Sequence, residues 1–444
     1  MTTSGPVRVI VLNYNGGADT IRCFEHLSNT IWPEGELELV CVDNGSTDGS
    51  IEALRASFPQ VEVRALGSNS GFPANNVALG DLDGLRYVAL VNNDAFVEPD
   101  WLAPLVETLD ADPGLGAACP KLVLAPAFAE VSIRGPVLVS EGPGGRDLCV
   151  RLRGCTVGGV DVWRDLHVAS GGWGRESSAS GTFEWIGPEA VVRIPVPGPL
   201  DPGDTSIELR IEAHRDCELV VDGRVVRVGR GASTLAIAPP SSRLDVINNV
   251  GSIVFSDGCG ADRGWLQADD GSFDDPVEVF AWCGGGVLLR PTYLTDVGLF
   301  DESFFLYYED TDLSWRGQAR GWRYRTAPSS VIRHVHAASS GEGSEVFAFH
   351  VERNRLLMLT KNAPVRTVIA QSLLFLRATA SYALRDILRP MLHLHRPHPM
   401  VVRRRLVSFG GFLRLLPATI RSRRRLRSVA LLTDSQLEPW FVAR

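Results

Sequence analysis

LELVCVDNGSTDGS, residues 37–50, begins as a short apolar run and ends in a cluster of small polar side chains. Short apolar runs bounded by turn residues are how strands buried on both faces of a parallel sheet read. Upstream, residues 7–12 (VRVIVL) repeat the pattern and run into Asn13-Tyr14-Asn15-Gly16-Gly17. Helical spacing over 20–29, 50–58 and 75–80 alternates with further strands at 61–66 and 87–91, and a helix over 99–109 opens on Pro99. This order predicts an α/β fold with a doubly wound, mostly parallel sheet, whose loops at the strand C-termini bind ligand.

The texture changes near Ala125. Residues 127–245 are rich in Gly, Pro and Ser and carry short alternating strands, with Asp222-Gly223 as a hairpin signal. They read as a β-sandwich-like insert. The mixed pattern resumes to about Asn362, and the remainder is helical and studded with arginine, with breaks expected at Pro390, Pro397, Pro399 and Pro417. The expected domains are therefore 1–126, 127–245, 246–362 and 363–444.

At 444 residues and 45% hydrophobic, the chain is long enough for two to four domains and too apolar for disorder. Its net charge of −8 conceals an asymmetry. From Lys361 onward there are 16 basic and three acidic side chains, net +13; the preceding residues carry −21. The eight cysteines form no CxxC pair, which fits a reduced, cytosolic setting. No leader is expected ahead of the first strand. No apolar stretch reaches the roughly 18 uninterrupted residues of a spanning helix, so none is expected.

Four blocks could carry chemistry. The loops after the first two strands end in Asn and Asp but lack both the GxGxxG spacing and the P-loop lysine. Asp43 could accept hydrogen bonds from a base or ribose; equally, Asp43-Asn44-Gly45 is a turn and Ser46 or Thr47 a helix cap. Asn92-Asn93-Asp94 ends a strand with a carboxylate suited to a hard divalent cation that takes its other ligands from phosphate and water. The block 298–316, GLFDESFFLYYEDTDLSWR, packs five carboxylates among aromatics. Such surroundings raise a carboxyl pKa and suit a general base, although Asp310 could be an N-cap and Asp312 an ion-pair partner of Arg316. His334 and His336 alternate onto one side of a strand, available to a metal or phosphate.

Taken in order, VLNYNGG, VDNGSTDGS, NSGFPANN, LVNNDAF, the 298–316 block and HVERNRL resemble glycosyltransferase family 2, inverting sugar-nucleotide transferases of the GT-A fold. The likeness covers about 7–124 and 246–362 and is greatest to bacterial rhamnosyltransferase-type members acting on cell-wall or surface polysaccharide. It implies that Asn13, Asn15, Asp43, Asn69 and Asn75 line the nucleotide site, with Asn92, Asn93 and Glu309 on the substrate. It further implies that Asp94 holds Mg²⁺ or Mn²⁺ with help from His334, and that Asp310 is the catalytic base. Gly284-Gly285-Gly286 falls at the family's acceptor wall. Asn92 stands where the family has its first metal-site acid, and the long insert departs from the family's short linker. The implied partners are a dTDP- or UDP-linked sugar and a glycan acceptor, polyprenyl-linked. The rival readings are a non-catalytic glycan-binding scaffold with a decayed transferase core, and a nucleotidyltransferase.

Within the insert, Trp163, Trp173 and Trp185 could stack on sugar or simply fill the core. In a helix over 364–389, Arg366, Arg377, Arg385 and Arg389 fall within roughly a 140° sector, with Val365, Val368, Ile369, Leu373, Leu376, Ala380 and Ile387 opposite. Arg403–Arg405 and Arg421–Arg427 add two clusters. The tail is thus expected to lie on an anionic membrane surface, peripheral on the inner face of the cell membrane. Nucleic acid is not expected as a partner, because the clusters lack interleaved aromatics. The tail helices could also pack on the catalytic domain and leave their arginines solvated.

Overall fold

The computed structural model describes residues 5–142, 145–178, 181–197, 207–238, 242–335 and 344–443. Its backbone contacts divide it into two units, one of 1–123, 248–264 and 272–444, the other of 124–247 and 265–271.

In the first unit, β1 (Val7–Asn13), β2 (Leu37–Asp43), β3 (Glu62–Ala65) and β4 (Tyr87–Asn92) pair in parallel in the order β3-β2-β1-β4. Val7 lies opposite both Leu37 and Tyr87, so these strands end together, Asn13 beside Asp43. Helices α1 (Gly17–Ser28), α2 (Ser50–Ser57) and α3 (Asn76–Leu79) lie in the connections. Beyond β4 antiparallel pairing enters the sheet. The strand Gly286–Leu289 lies between β4 and β6 (Leu115–Leu124), and β5 (Ala95–Val97) pairs with the strand Arg323–His334. Parallel partners need long crossovers, which α1 to α3 serve; Gly286–Leu289 enters after the insert and runs opposite to β4. The sheet is therefore mixed, as the GT-A resemblance implies: Gly286–Leu289 runs against both its neighbours, so β6 points the same way as β4. All ten residues of β6 are buried, which makes it a central strand.

Helices α4 (Leu102–Ala111), α5 (Pro291–Val297), α6 (Glu309–Ala319) and α7 (Glu345–Asn362) complete the catalytic layers. Helix α4 starts three residues after Pro99, since Trp101 N–H still closes a turn on the Glu98 carbonyl. Neither Ser46 nor Thr47 caps α2. The helix begins after Gly49 in the left-handed region, and Asp48 Oδ1 takes the Ser50 N–H and Oγ–H. Asp312 is structural: fully buried, it bonds Arg316, Lys361 and Asn362 and ties α6 to α7.

In the second unit, nine strands form one antiparallel sheet. Alternate residues from its strands, such as Val131, Leu152, Ile194, Leu209 and Leu235, meet in a single core, so the sheet curls over itself as a sandwich does. Asp222 (φ 46°) and Gly223 (φ 79°) make the expected hairpin turn between Val221 and Arg224. The ends of the unit meet: Leu124 N–H donates to the Val246 carbonyl at 2.7 Å, and Phe128 and Leu244 exchange two bonds at 2.9 Å. Trp185 is buried and stacks on His214, Trp163 is half-buried against the core, and Trp173 alone of the three is exposed.

The tail departs from expectation in two ways. Helix α8 (Val365–Ala383) passes through a π-turn at Leu384–Leu388 into α9 (Arg389–Leu392), so Pro390 does not end it. Helix α10 (Met400–Val429) continues through Pro417. The ring of Pro417 removes the hydrogen bond to the carbonyl of Leu413, itself an exposed residue. Contrary to expectation, Val365–Leu392 is long and apolar enough to cross a membrane by length and composition, because its charged residues are few and scattered. Some arginines are internal fasteners. Arg423 and Arg427 bond the last carbonyls of α7, and Arg405 bridges Glu352, Thr379 and Phe375. After α10 the chain returns to place Leu437, Trp440 and Phe441 against Phe280 and Trp315.

Candidate active site

The strand ends converge on a cavity of about 480 Å³, within the range of small-molecule sites. Leu12 and Tyr14 follow from β1, Asn44 from β2, and Asn92, Asn93 and Asp94 from β4. Asn69, Phe72, Glu309, Asp310 and His334 also line it.

Asn13, Asn15, Asp43 and Asn75 do not line the cavity; they build its walls. Asn13 is fully buried, donates to Asp43, Ser46 and Ser50, and accepts from Thr20, Gly16 and Asn93. Asp43 accepts the Ser46 N–H, Asn15 accepts from Thr47, and Asn75 donates to the Phe72 carbonyl. Asn44 holds Asn69 and the Gly71 carbonyl and accepts from Ser70.

Asp310 sits in the first turn of α6, partly open to the cavity; the N-cap itself is Tyr308. Gly284 N–H donates to its Oδ2 at 3.1 Å, and Thr311 N–H and Oγ–H to its Oδ1 at 2.6 and 3.1 Å. Burial nonetheless pushes its pKa up, against those hydrogen bonds. Glu309 is 5% exposed, its Oε2 has no hydrogen-bond partner, and burial, reinforced by Asp310, raises its pKa well above the usual range. A carboxyl whose pKa is raised by folding contributes stability that is complete below its unfolded value, near 4.5, and is lost as pH climbs through the folded value. Glu309→Gln keeps the shape without the titration. The variant should therefore gain thermal stability over wild type as pH rises, in melts run from acid to alkaline buffer.

Asp94 Oδ1 lies 3.1 Å from His334 Nε2, and Asn92 Nδ2 3.3 Å from the same nitrogen. Asn248 Oδ1 faces Nδ1 at 2.8 Å; in the tautomer whose Nδ1–H donates there, Nε2 presents its lone pair. A carboxylate oxygen and an imidazole lone pair thus face each other, a donor set that fits a hard divalent cation. No group of three or more His, Cys, Asp and Glu that could hold a metal occurs among the described residues. A Mg²⁺ or Mn²⁺ held here would take its other ligands from phosphate and water. His336 lies outside the described residues.

The wall opposite is an aromatic loop under strain. Phe305, Tyr307 and Tyr308 all have φ between 65° and 70°, which bulky residues rarely adopt. Three contacts compel it. Phe72 N–H bonds the Phe305 carbonyl at 2.7 Å. Gly71, at φ 76°, has no room for a Cβ beside that carbonyl. The amide of Asn354, fully buried, lies 2.7–2.9 Å from the carbonyls of Phe304, Leu306 and Tyr307. Asn354→Leu leaves these acceptors without that donor, at about 1–3 kcal/mol for each one buried and unsatisfied. It should lower the melting temperature and weaken ligand binding together, whereas Thr433→Ala, at the cap of the short helix Asp434–Leu437 and away from the cavity, should do only the former.

Sequence reasoning missed Tyr14, Asn44, Asn248, Asp262 and Asn354. Tyr14 and Asn44 stood inside quoted motifs; Asn248 and Asp262 follow the insert with no local pattern, and only the fold brings them to the cavity.

A mixed GT-A sheet with a ligand cavity at its parallel strand ends defines the fold class. Within that class, residues 8–122 match the family model described as Glycosyl transferase family 2, and the chain resembles that family. It is 30% identical over 109 residues to an uncharacterized glycosyltransferase, YibD, of Escherichia coli K12, covering 24% of this chain and 31% of that one. It is 39% identical over 72 residues to an N-acetylglucosaminyl-diphospho-decaprenol L-rhamnosyltransferase of Mycobacterium tuberculosis, covering 16% and 24%. The matched regions span about a quarter to a third of those relatives. Among solved structures, a mannosyltransferase from Pyrobaculum calidifontis in complex with GDP-Man and Mn²⁺ superposes with a TM-score of 0.42 at 15% identity, covering 99% of this chain and 88% of that one.

Proposed function

We propose that the chain is a metal-dependent, inverting glycosyltransferase that moves a sugar from a dTDP- or UDP-linked donor to a hydroxyl of a polyprenyl-linked glycan. The observation that carries this reading is that Asp310 opens on the same cavity as Asp94 and His334. A base and an anchor for diphosphate are thus held in one chamber.

The acceptor oxygen attacks C1 as the bond from C1 to the diphosphate oxygen breaks. The electron pair leaves with the nucleoside diphosphate, and the acceptor proton passes to Asp310. One displacement inverts C1, with no covalent enzyme intermediate. The raised pKa of Asp310 brings its proton affinity closer to that of the hydroxyl it serves. Asp94 and His334 would hold the cation. A bound Mg²⁺ or Mn²⁺ supplies electrostatic stabilisation to the departing diphosphate. Phe305, Leu306 and Tyr307 line the same cavity, where they would limit water at the reacting centre.

The mycobacterial relative's name supports trying a dTDP-rhamnose donor and a polyprenyl-diphosphate-linked N-acetylglucosamine acceptor first. Incubation of the full chain with UDP- and dTDP-sugars, Mn²⁺ or Mg²⁺ and such an acceptor should give one glycosylated product with inverted anomeric configuration by NMR. Retention would overturn the mechanism. Absence of both donor binding and transfer across the panel would overturn the activity.

A further inference from the structure

Helix α8 has three sides, and only one is packed. Gln371, Phe375 and Thr379 are buried against α7 and α10. The apolar side anticipated for membrane contact is not in the core: Val365, Ile369, Leu373, Leu376 and Leu384 are exposed, Leu373 by 61%. At 100° per residue these five fall within roughly a 100° sector. Exposed apolar area of this kind, continuous along a helix, marks an interaction site.

The arginines around it divide cleanly. Arg404, Arg405, Arg423 and Arg427 are used internally, on Glu352, Asp434 and the carbonyls at the end of α7. Arg377, Arg389, Arg403, Arg414, Arg421 and Arg424 are exposed and have no ion pair or side-chain hydrogen bond among the described residues. In projection Arg403, Arg414 and Arg421 lie within roughly 20° of one another, a ridge about 27 Å long on the outer side of α10 at 1.5 Å per residue.

We propose that the α8–α10 layer is a docking surface for an anionic lipid bilayer, as on the inner face of the cell membrane. The exposed side of α8 enters the headgroup–acyl boundary, and the free arginines meet lipid phosphates. Charge complementarity favours this occupant: an apolar strip alone would suit many partners, whereas a strip bordered on its own helix by the unpaired Arg377, in a layer that carries further unpaired guanidinium groups, suits an anionic headgroup plane. The contact is peripheral although Val365–Leu392 is long enough to span. Spanning would strip Phe375 and Thr379 from the Arg405 guanidinium that holds both. This inference stands apart from the sugar chemistry, and its test uses no sugar nucleotide.

The full chain is sedimented with phosphatidylcholine vesicles and with vesicles containing phosphatidylglycerol. Binding is expected only to the latter, falling as salt rises. Leu373→Glu should weaken it about tenfold or more, the equivalent of burying one leucine. The paired change Arg414→Glu and Arg421→Glu should do likewise. Unchanged melting temperatures keep these losses separate from misfolding, since the side chains changed are exposed. Binding indifferent to lipid charge and salt would overturn the proposal. Loss with the arginine changes but not with Leu373→Glu would also overturn it, pointing to a soluble polyanion. So would resistance to alkaline carbonate extraction, which marks a spanning helix, or a dimer that Leu373→Glu makes monomeric without any vesicle binding.

Discussion

Asp310→Asn should reduce sugar transfer by about 10²–10⁴-fold, the range over which a general base acts. The asparagine is close to the same size and can still accept from Gly284 N–H or Thr311 N–H, which now hold the carboxylate. Donor affinity should change little, and the loss should fall on kcat. A second readout separates this from a merely structural defect. As a base Asp310 would work ionised, and burial raises its pKa. The wild-type rate should therefore rise with pH through a value above the ordinary carboxylate range, and the residual rate of the variant should lack that limb. Near-normal transfer by Asp310→Asn would remove the assignment.

Removal of divalent cation, or Asp94→Ala, should abolish nucleotide binding as well as turnover. The cavity is lined by Asp94, Asp262, Glu309 and Asp310, and no arginine or lysine appears among its described lining residues. A diphosphate brought to within 4 Å of an ionised carboxylate meets a repulsion of about 4 kcal/mol per charge pair at an effective dielectric of 20. A cation reverses that sign. Thermal shifts with UDP or dTDP should appear with Mn²⁺ or Mg²⁺ and vanish with EDTA. Asp94→Ala should weaken metal affinity by at least the roughly 10–100-fold that loss of a mere supporting residue costs. A nucleotide shift that survives EDTA would mean that something other than Asp94 and His334 compensates the phosphate charge.

The parallel half of the sheet was legible because strands buried on both faces read as short apolar runs: β1, β2 and β4 fall close to where their residues put them. The far half, where antiparallel pairing enters, was not. Gly286–Leu289 is four residues long, and its direction depends on where the insert returns the chain. Pro390 and Pro417 misled because a proline ends a helix only when the freed carbonyl has no alternative. In the site, Asp94, Asp310 and His334 stood in motifs whose chemistry is local. Asn13 and Asp43 stood in motifs too, but their side chains face the neighbouring loop rather than the cavity. Asn354 was visible only as part of a motif. What it does depends on a loop about 50 residues away in sequence, and no local pattern encodes that.

The paired ends of the insert have a consequence for how the catalytic sheet assembles. Bringing β6 and Gly286–Leu289 together across a flexible chain of that length would carry the loop-closure entropy of the whole segment, which grows as the logarithm of length. With Leu124 bonded to Val246, the insert's two ends are held together. To the sheet it then counts as a connection of a few residues. A lesion that unfolds only the insert would thus lengthen the effective tether between the two halves of the catalytic sheet without touching a single residue of it.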